Sequence, residues 1–481
     1  MKICPYCKNP LQEHWSYCSH CNKPLIVSLQ NQEFLDNIIH NSIGSPYSNS
    51  DLKANERLYD FNLIQEDEID SNIQKIDNLI EDKIKVGEPI GFLLFEKSGL
   101  YFSKKDYSIA LKTLENALNN FIEDNDILNC AISHNEIGLI QEELGFFDNS
   151  IYNFEKSIEY LSKINDFNKL IKVYNNIANV YYLIKDIEHS YEYYDKALKL
   201  AEESNIITEE IKTSSNIVDI LFILKDYDKI DKFLKRNLDY FRQMGDPYGS
   251  IITLTKIGKL YYFLGPDNFN LSFQALLEAL EIINKIKIEK NFSTEHKAKI
   301  EWEVLLYLGK LSLSQSKHKE AEDYFFRSLE SLRISETETG DIKESIVLES
   351  LGKLFETVED YRKSIDYYNL AGAVYYKFGD DLSYAELKYK LAQIYLEFDE
   401  SESIRYFEES LDIFKDLNYL QKIAEILHKL GDIYANKEIL ELAISYFQKA
   451  KEYYMDLNDE YNIKLLTEKI NSLVDSNTNI F

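Results

Sequence analysis

Residues 177–198 read IANVYYLIKDIEHSYEYYDKAL. Ala178 and Ser190 are small residues twelve positions apart, and Tyr194 follows four residues after the second. The same frame returns as YSIALKTLENAL from Tyr107, FDNSIYNFEKSI from Phe147, HKEAEDYFFRSL from His318 and LELAISYFQKAK from Leu440. Aligned on it, one slot holds Ala110, Ser150, Ser190, Ile230, Ser272, Ala321, Ser364, Ser403 and Ala443, with gaps of 40, 40, 40, 42, 49, 43, 39 and 40 residues. About twelve residues upstream stands a second slot, filled by Gly99, Gly138, Ala178, Val218, Gly258, Gly309, Gly352, Ala392 and Gly431. Self-similarity at a fixed period marks a stack of supersecondary units, none of which buries its apolar face alone.

The slots read as the contact between two paired helices. A Gly or Ala in the first is expected to let the backbone of the second approach where Ala or Ser sits opposite. Phe154, Tyr194, Phe325, Tyr368, Phe407 and Phe447, four residues later, then fill the next layer. In the fourth copy, Val218 and Ile230 stand where small residues are expected, so its helices should splay.

Composition agrees with an all-helical chain. Only 7 prolines and 16 glycines occur in 481 residues, and both interrupt helices. Against 54 basic residues stand 82 acidic ones, a formal charge of −28. Such a surface repels phosphate, so the repeat body is not expected to coat nucleic acid, and no apolar run is long enough to cross a membrane. The expectation is a soluble cytoplasmic protein.

Residues 4–21, CPYCKNPLQEHWSYCSHC, have the spacing C-x2-C-x10-C-x2-C. Each Cys-x2-Cys turn can aim two thiolates at one tetrahedral ion, so Cys4, Cys7, Cys18 and Cys21 are candidate ligands of a zinc ion. Four thiolates leave no open position, which makes the site structural. The segment resembles the short zinc ribbon found at the ends of many bacterial and archaeal chains. With Lys2, Lys8 and Lys23 against Glu13 and a doubly negative zinc centre, residues 1–27 are close to neutral. A protein-contact or stability role suits that balance better than nucleic-acid binding.

The remaining segments follow. Residues 28–88 hold a Gly-, Pro- and Ser-bearing linker and a helical pattern through Ile69, Ile73, Ile76, Ile80 and Ile84, expected to pack on the first repeat. Residues 89–456 hold the repeats, and 457–481 an amphipathic capping helix with Leu465, Leu466, Ile470 and Leu473 on one side, then a polar tail.

The repeat frame resembles the tetratricopeptide repeat, whose small pair lies twelve residues apart. The standard repeat takes 34 residues and closes with a proline. Here the period is 40 and that proline is missing, so longer helices or loops must absorb the difference. Forty-residue versions resemble Pins-type polarity adaptors, kinesin light chains and bacterial peptide-sensing regulators. The resemblance implies a right-handed α-solenoid of about nine helix pairs that receives an extended peptide or protein segment along its concave face. It places Asn135, Lys172, Asn175, Asn176, Asn179, Lys212, Asn216 and Lys259 on or near that groove. The asparagine amides either meet a peptide backbone or satisfy each other between stacked helices. Farther along, Glu349, Glu356, Glu386, Glu397, Glu425 and Asp432 give an acidic surface.

No phosphate-cradling loop, HExxH pair or Cys–His couple appears, so an enzyme is not expected. Lys285, Lys287, Lys290, Lys297 and Lys299 lie in the longest gap, either as an exposed loop or as a docking loop for an acidic partner. The leading expectation is a protein-interaction scaffold with a zinc ribbon as second contact module. The alternative is a ligand-sensing regulator whose ribbon touches nucleic acid or transcription machinery.

Overall fold

The computed structural model describes residues 2–3, 10–11, 57–58, 66–286, 293–335 and 342–478. Two short strands, β1 (Lys2–Ile3) and β2 (Pro10–Leu11), pair antiparallel with Lys2 opposite Leu11. Cys4, Cys7, Cys18 and Cys21 lie outside the described residues, as do Lys287 and Lys290. Apart from Arg57 and Leu58, everything else described is helical or connects helices.

The chain divides into two compact units, Met1–Tyr248 and Gly249–Phe481. In the first, α1 (Glu66–Val86) precedes four helix pairs: α2 (Gly91–Ser103) with α3 (Tyr107–Glu123), α4 (Ile127–Glu143) with α5 (Phe147–Ile164), α6 (Phe167–Leu183) with α7 (Ile187–Glu203), and α8 (Ile207–Leu224) with α9 (Tyr227–Met244). The second holds α10 (Pro247–Phe263) with α11 (Phe269–Lys285), α12 (Thr294–Ser314) with α13 (His318–Ser335), α14 (Lys343–Thr357) with α15 (Tyr361–Lys377), α16 (Asp381–Tyr395) with α17 (Glu400–Asp416), and α18 (Leu420–Asn436) with α19 (Leu440–Asp456). Helix α20 (Glu460–Thr478) follows, with Leu466 fully buried against its neighbours.

The period of 40 comes from helix length, not from loops. Most helices run 17 or 18 residues, and the turns between them take two or three. Five of the turns share one local device. A residue in the left-handed region ends one helix and an aspartate starts the next, as in Asn125–Asp126, Asn165–Asp166, Lys185–Asp186, Lys225–Asp226 and Glu359–Asp360. Asp126 accepts from the Asn129 backbone N–H and Asp166 from that of Lys169, both at 3.1 Å. Such a cap stabilises a helix by about 1 kcal/mol. The longest gap is absorbed partly by α12, which at 21 residues carries Lys297 and Lys299 in its early turns.

Between paired helices the glycine makes room for a side chain, a ring at four positions and Leu276 at Gly258, rather than for backbone, which corrects the expected contact. A Cβ on Gly138 would stand 2.7 Å from the Phe154 ring, one on Gly309 2.5 Å from Phe325, and one on Gly431 2.5 Å from Phe447. The serine opposite has its own role. Its hydroxyl donates to the carbonyl at the glycine or alanine slot: Ser150 to Gly138 at 2.7 Å, Ser190 to Ala178 at 2.9 Å, Ser364 to Gly352 at 2.9 Å and Ser403 to Ala392 at 2.7 Å. A third recurring slot, seven residues past the one that runs from Ala110 to Ala443, holds Ala117, Ser157, Ala197, Ala279, Ser328, Ala371, Ser410 and Ala450. Ser157, Ser328 and Ser410 donate to carbonyls of Ala131, Trp302 and Ala385.

In the fourth pair all three slots are altered. Val218 and Ile230 are fully buried, and Asn237 takes the third slot, bonded to Ser214 and Ser215 at 3.0 Å. Helices α8 and α9 lie less close together than the three pairs before them, as expected from the larger side chains. Leu234 stands where the preceding pair carries Tyr194, and the smaller side chain offsets part of the added volume.

Candidate functional site

The first helix of each pair carries the residues expected along a groove, and the two units present them differently. In the first unit, Asn135, Asn175, Asn176 and Asn179 are all buried. Asn176 Nδ2 donates to Asn135 Oδ1 at 3.0 Å, Asn175 Nδ2 to Thr213 Oγ1 at 3.0 Å, and the Tyr194 hydroxyl to Asn179 Oδ1. These amides join α4, α6, α7 and α8 to one another. An amide inside a helix stack needs a partner, and the next helix supplies one. Lys172, Lys212 and Asn216 keep partial exposure, and Lys212 stands 3.5 Å from Glu209. Lys259 belongs to the second unit, where its ammonium is 3.5 Å from Glu303.

Cys130 on α4 is 2% exposed, and burial pushes its thiol up to about 12. It is a packed, protonated thiol at neutral pH. Among the described residues no three His, Cys, Asp or Glu side chains gather as a metal site. Nor is any described helix long and apolar enough to cross a membrane.

In the second unit, the position after the glycine slot is Lys259, Lys310 and Lys353 in three successive pairs. Lys310 lies 5.1 Å over the Tyr307 ring, and Lys259 5.9 Å from the same ring. Carboxylates alternate with these lysines. Glu349 accepts from the Tyr375 hydroxyl at 3.3 Å, and Glu356 from that of Tyr368 at 2.7 Å. Lys390 approaches Glu356 at 3.6 Å and lies 4.4 Å over Tyr368. Burial lowers the pKa of Lys310 and of Lys390 from the usual lysine value, an effect that nearby glutamates oppose.

The surface expected to be acidic is therefore mixed. Lys422 stands 3.1 Å from Glu425, and Lys469 of α20 reaches Asp432 at 2.5 Å and His428 Nε2 at 3.0 Å. Sequence reading missed Lys390 and Lys469 as partners, because they project from other helices than the acids they meet. Near this end an open cavity of about 430 Å³ is lined by Leu396, Phe398, Lys429 and Ile433 among others.

Known proteins support the frame. A model of the tetratricopeptide repeat matches residues 171–204 and 424–456, the third and ninth helix pairs. Tetratricopeptide repeats are present in this chain. The apo form of the quorum sensor NprR from B. thuringiensis is similar over 78% of this chain and 99% of its own, at 14% identity and a TM-score of 0.51. The apo form of RapI (13% identity, 68% of this chain, 99% of its own) and a Rap protein complexed with competence and sporulation factor (16%, 82% and 99%) give TM-scores of 0.36 and 0.34. Only the first score is high enough to speak for a shared fold. No curated protein matches the sequence.

Proposed function

We propose that this protein is a cytoplasmic, non-enzymatic adaptor that holds an extended peptide or protein segment on the inner helices of its repeat stack. The observation that carries this reading is the row Lys259, Lys310 and Lys353, alternating with Glu303, Glu349 and Glu356 on α10, α12 and α14. Packed helices lie about 8–10 Å apart. An extended chain advances about 3.3 Å per residue, so one row position answers to roughly every third ligand residue. The matching ligand carries acidic side chains at that spacing, with aliphatic or aromatic residues between them to cover Tyr307 and Tyr368. The likeness to a quorum sensor in fold supports a stack built to receive a ligand.

A displayed random-peptide library tests this with the full chain as bait. Enrichment of Asp or Glu every third residue, with binding lost in the K310E/K353E variant, is the expected result. Selection without such a pattern, or equal binding by that variant, rejects the reading.

The amino-terminal module belongs to the same proposal. Cys4, Cys7, Cys18 and Cys21 would hold one structural zinc ion, supported by their spacing and by the β1–β2 pair that brackets residues 4–9. Metal analysis of the purified chain should give one zinc per molecule, and the C18S/C21S variant should give none.

A further inference from the structure

Arg57 and Leu58 precede α1 and are not helical. They are packed like a ligand. Leu58 is 6% exposed and joins the cluster formed by Phe92 and Phe95 of α2 and Ile132 of α4. Its backbone N–H donates to Glu136 Oε1 at 3.3 Å, across 78 residues of sequence. Arg57 Nη1 stands 3.2 Å from Oε2 of the same carboxylate, and its guanidinium lies 4.0 Å over the Phe102 ring. Glu136, 2% exposed, also accepts from Asn135 Nδ2 at 3.2 Å, which links the two residues to the amides of Asn135 and Asn176.

The repeat frame explains why a cation is needed there. Asn135 and Asn176 stand three and two residues before their slots, Gly138 and Ala178, and bond across the second and third pairs. At the corresponding positions of the first and second pairs stand Glu96 and Glu136, both buried. Two amides satisfy each other. Two carboxylates do not, and a buried carboxylate demands a cation and hydrogen-bond donors. An arginine supplies both, and its flat guanidinium lies on an aromatic face while meeting a carboxylate edge.

We propose that this junction is a binding site for an arginine followed by a large aliphatic residue, and that Arg57–Leu58 is its built-in occupant. Four elements of peptide recognition converge: a buried carboxylate for the guanidinium, a ring beneath it, an acceptor for one backbone N–H, and an apolar pocket for the next side chain. A partner segment with the same two residues competes with the chain's own. A tethered occupant acts at an effective concentration in the millimolar range, so it suppresses weak external ligands. The inference rests on the peptide-binding reading above, but it concerns α2 and α4 rather than the lysine row, so either can fail alone.

The test uses a fluorescent peptide with the sequence of residues 52–63, LKANERLYDFNL, added to the full chain and followed by anisotropy. The R57A/L58A chain should bind it at least about tenfold more tightly than the wild type, because the tethered competitor is gone. A peptide with alanine in place of its arginine should lose that binding, as should the R57A/L58A chain carrying E136Q. Equal binding by wild type and R57A/L58A, or none by a variant that retains its helical circular dichroism, overturns the proposal. Should the double variant unfold, R57Q keeps Leu58 in its pocket and takes its place: a gain in peptide binding supports the site, and no gain overturns it.

Discussion

The first helices of the pairs in the two units share one sequence frame and fill it with opposite chemistry. Around α4, α6 and α8 the facing positions carry amides, which close on each other and are buried. Around α12, α14 and α16 they carry lysines and glutamates, which meet tyrosine hydroxyls and one another with part of their surface still exposed. An amide pair has no net charge and tolerates enclosure, whereas an ion pair loses more hydration than it regains when fully enclosed. The first arrangement fixes helices, and the second keeps charged groups in partial contact with solvent.

The largest expected effect tests what the units have in common. Phe154→Ala and Phe325→Ala each remove a fully buried ring packed on a glycine, and each should cost about 3–5 kcal/mol in urea unfolding. A small loss at either site would mean that the glycine–ring contact is not the shared foundation. Next come the amides. Asn176→Leu leaves the buried Asn135 carbonyl without its donor and should cost about 1–3 kcal/mol, with non-additivity in the N135A/N176A double-mutant cycle. In the charged unit, Lys259→Ala should cost no more than about 1 kcal/mol, since its pair with Glu303 is partly exposed. A loss as large as that of Asn176→Leu would erase the contrast between enclosed and partly exposed groups.

The smallest effect concerns pH. Burial, followed by the neighbouring Lys469, holds His428 below its ordinary pKa, with Asp432 opposing. The unfolded chain therefore binds this proton more readily than the folded one. Its contribution is complete above the usual histidine range and is lost as pH falls through the lowered value. Between pH 7.5 and 5.5 the wild type should lose slightly more stability than the H428Q variant, measured by urea midpoints. Equal losses would separate His428 from the docking of α20.

Much of this was legible in the sequence. Two slots and the aromatic four residues later located the pairing of helices. The third slot, Ala117 to Ala450, was equally periodic and was missed because its serines and alanines look unremarkable inside an alternating helix face. Whether the groove asparagines would face a ligand or one another was not legible, because one repeat's amide is answered by the next repeat's side chain. Lys390, Lys469 and Arg57 escaped for a related reason. Their partners lie on other elements, and Arg57 belongs to no period at all.

The Ser150–Gly138 and Ser364–Gly352 bonds each span twelve residues, and the ring packed on each glycine lies within the same pair. Contacts this local make for rapid folding, since little loop entropy is lost before they form. During synthesis each pair can be completed soon after its second helix leaves the ribosome. The bond from Leu58 to Glu136 runs on a different clock. It cannot close until three helices and part of a fourth have been made, so Leu58, synthesised before any of them, is among the last in its neighbourhood to be seated.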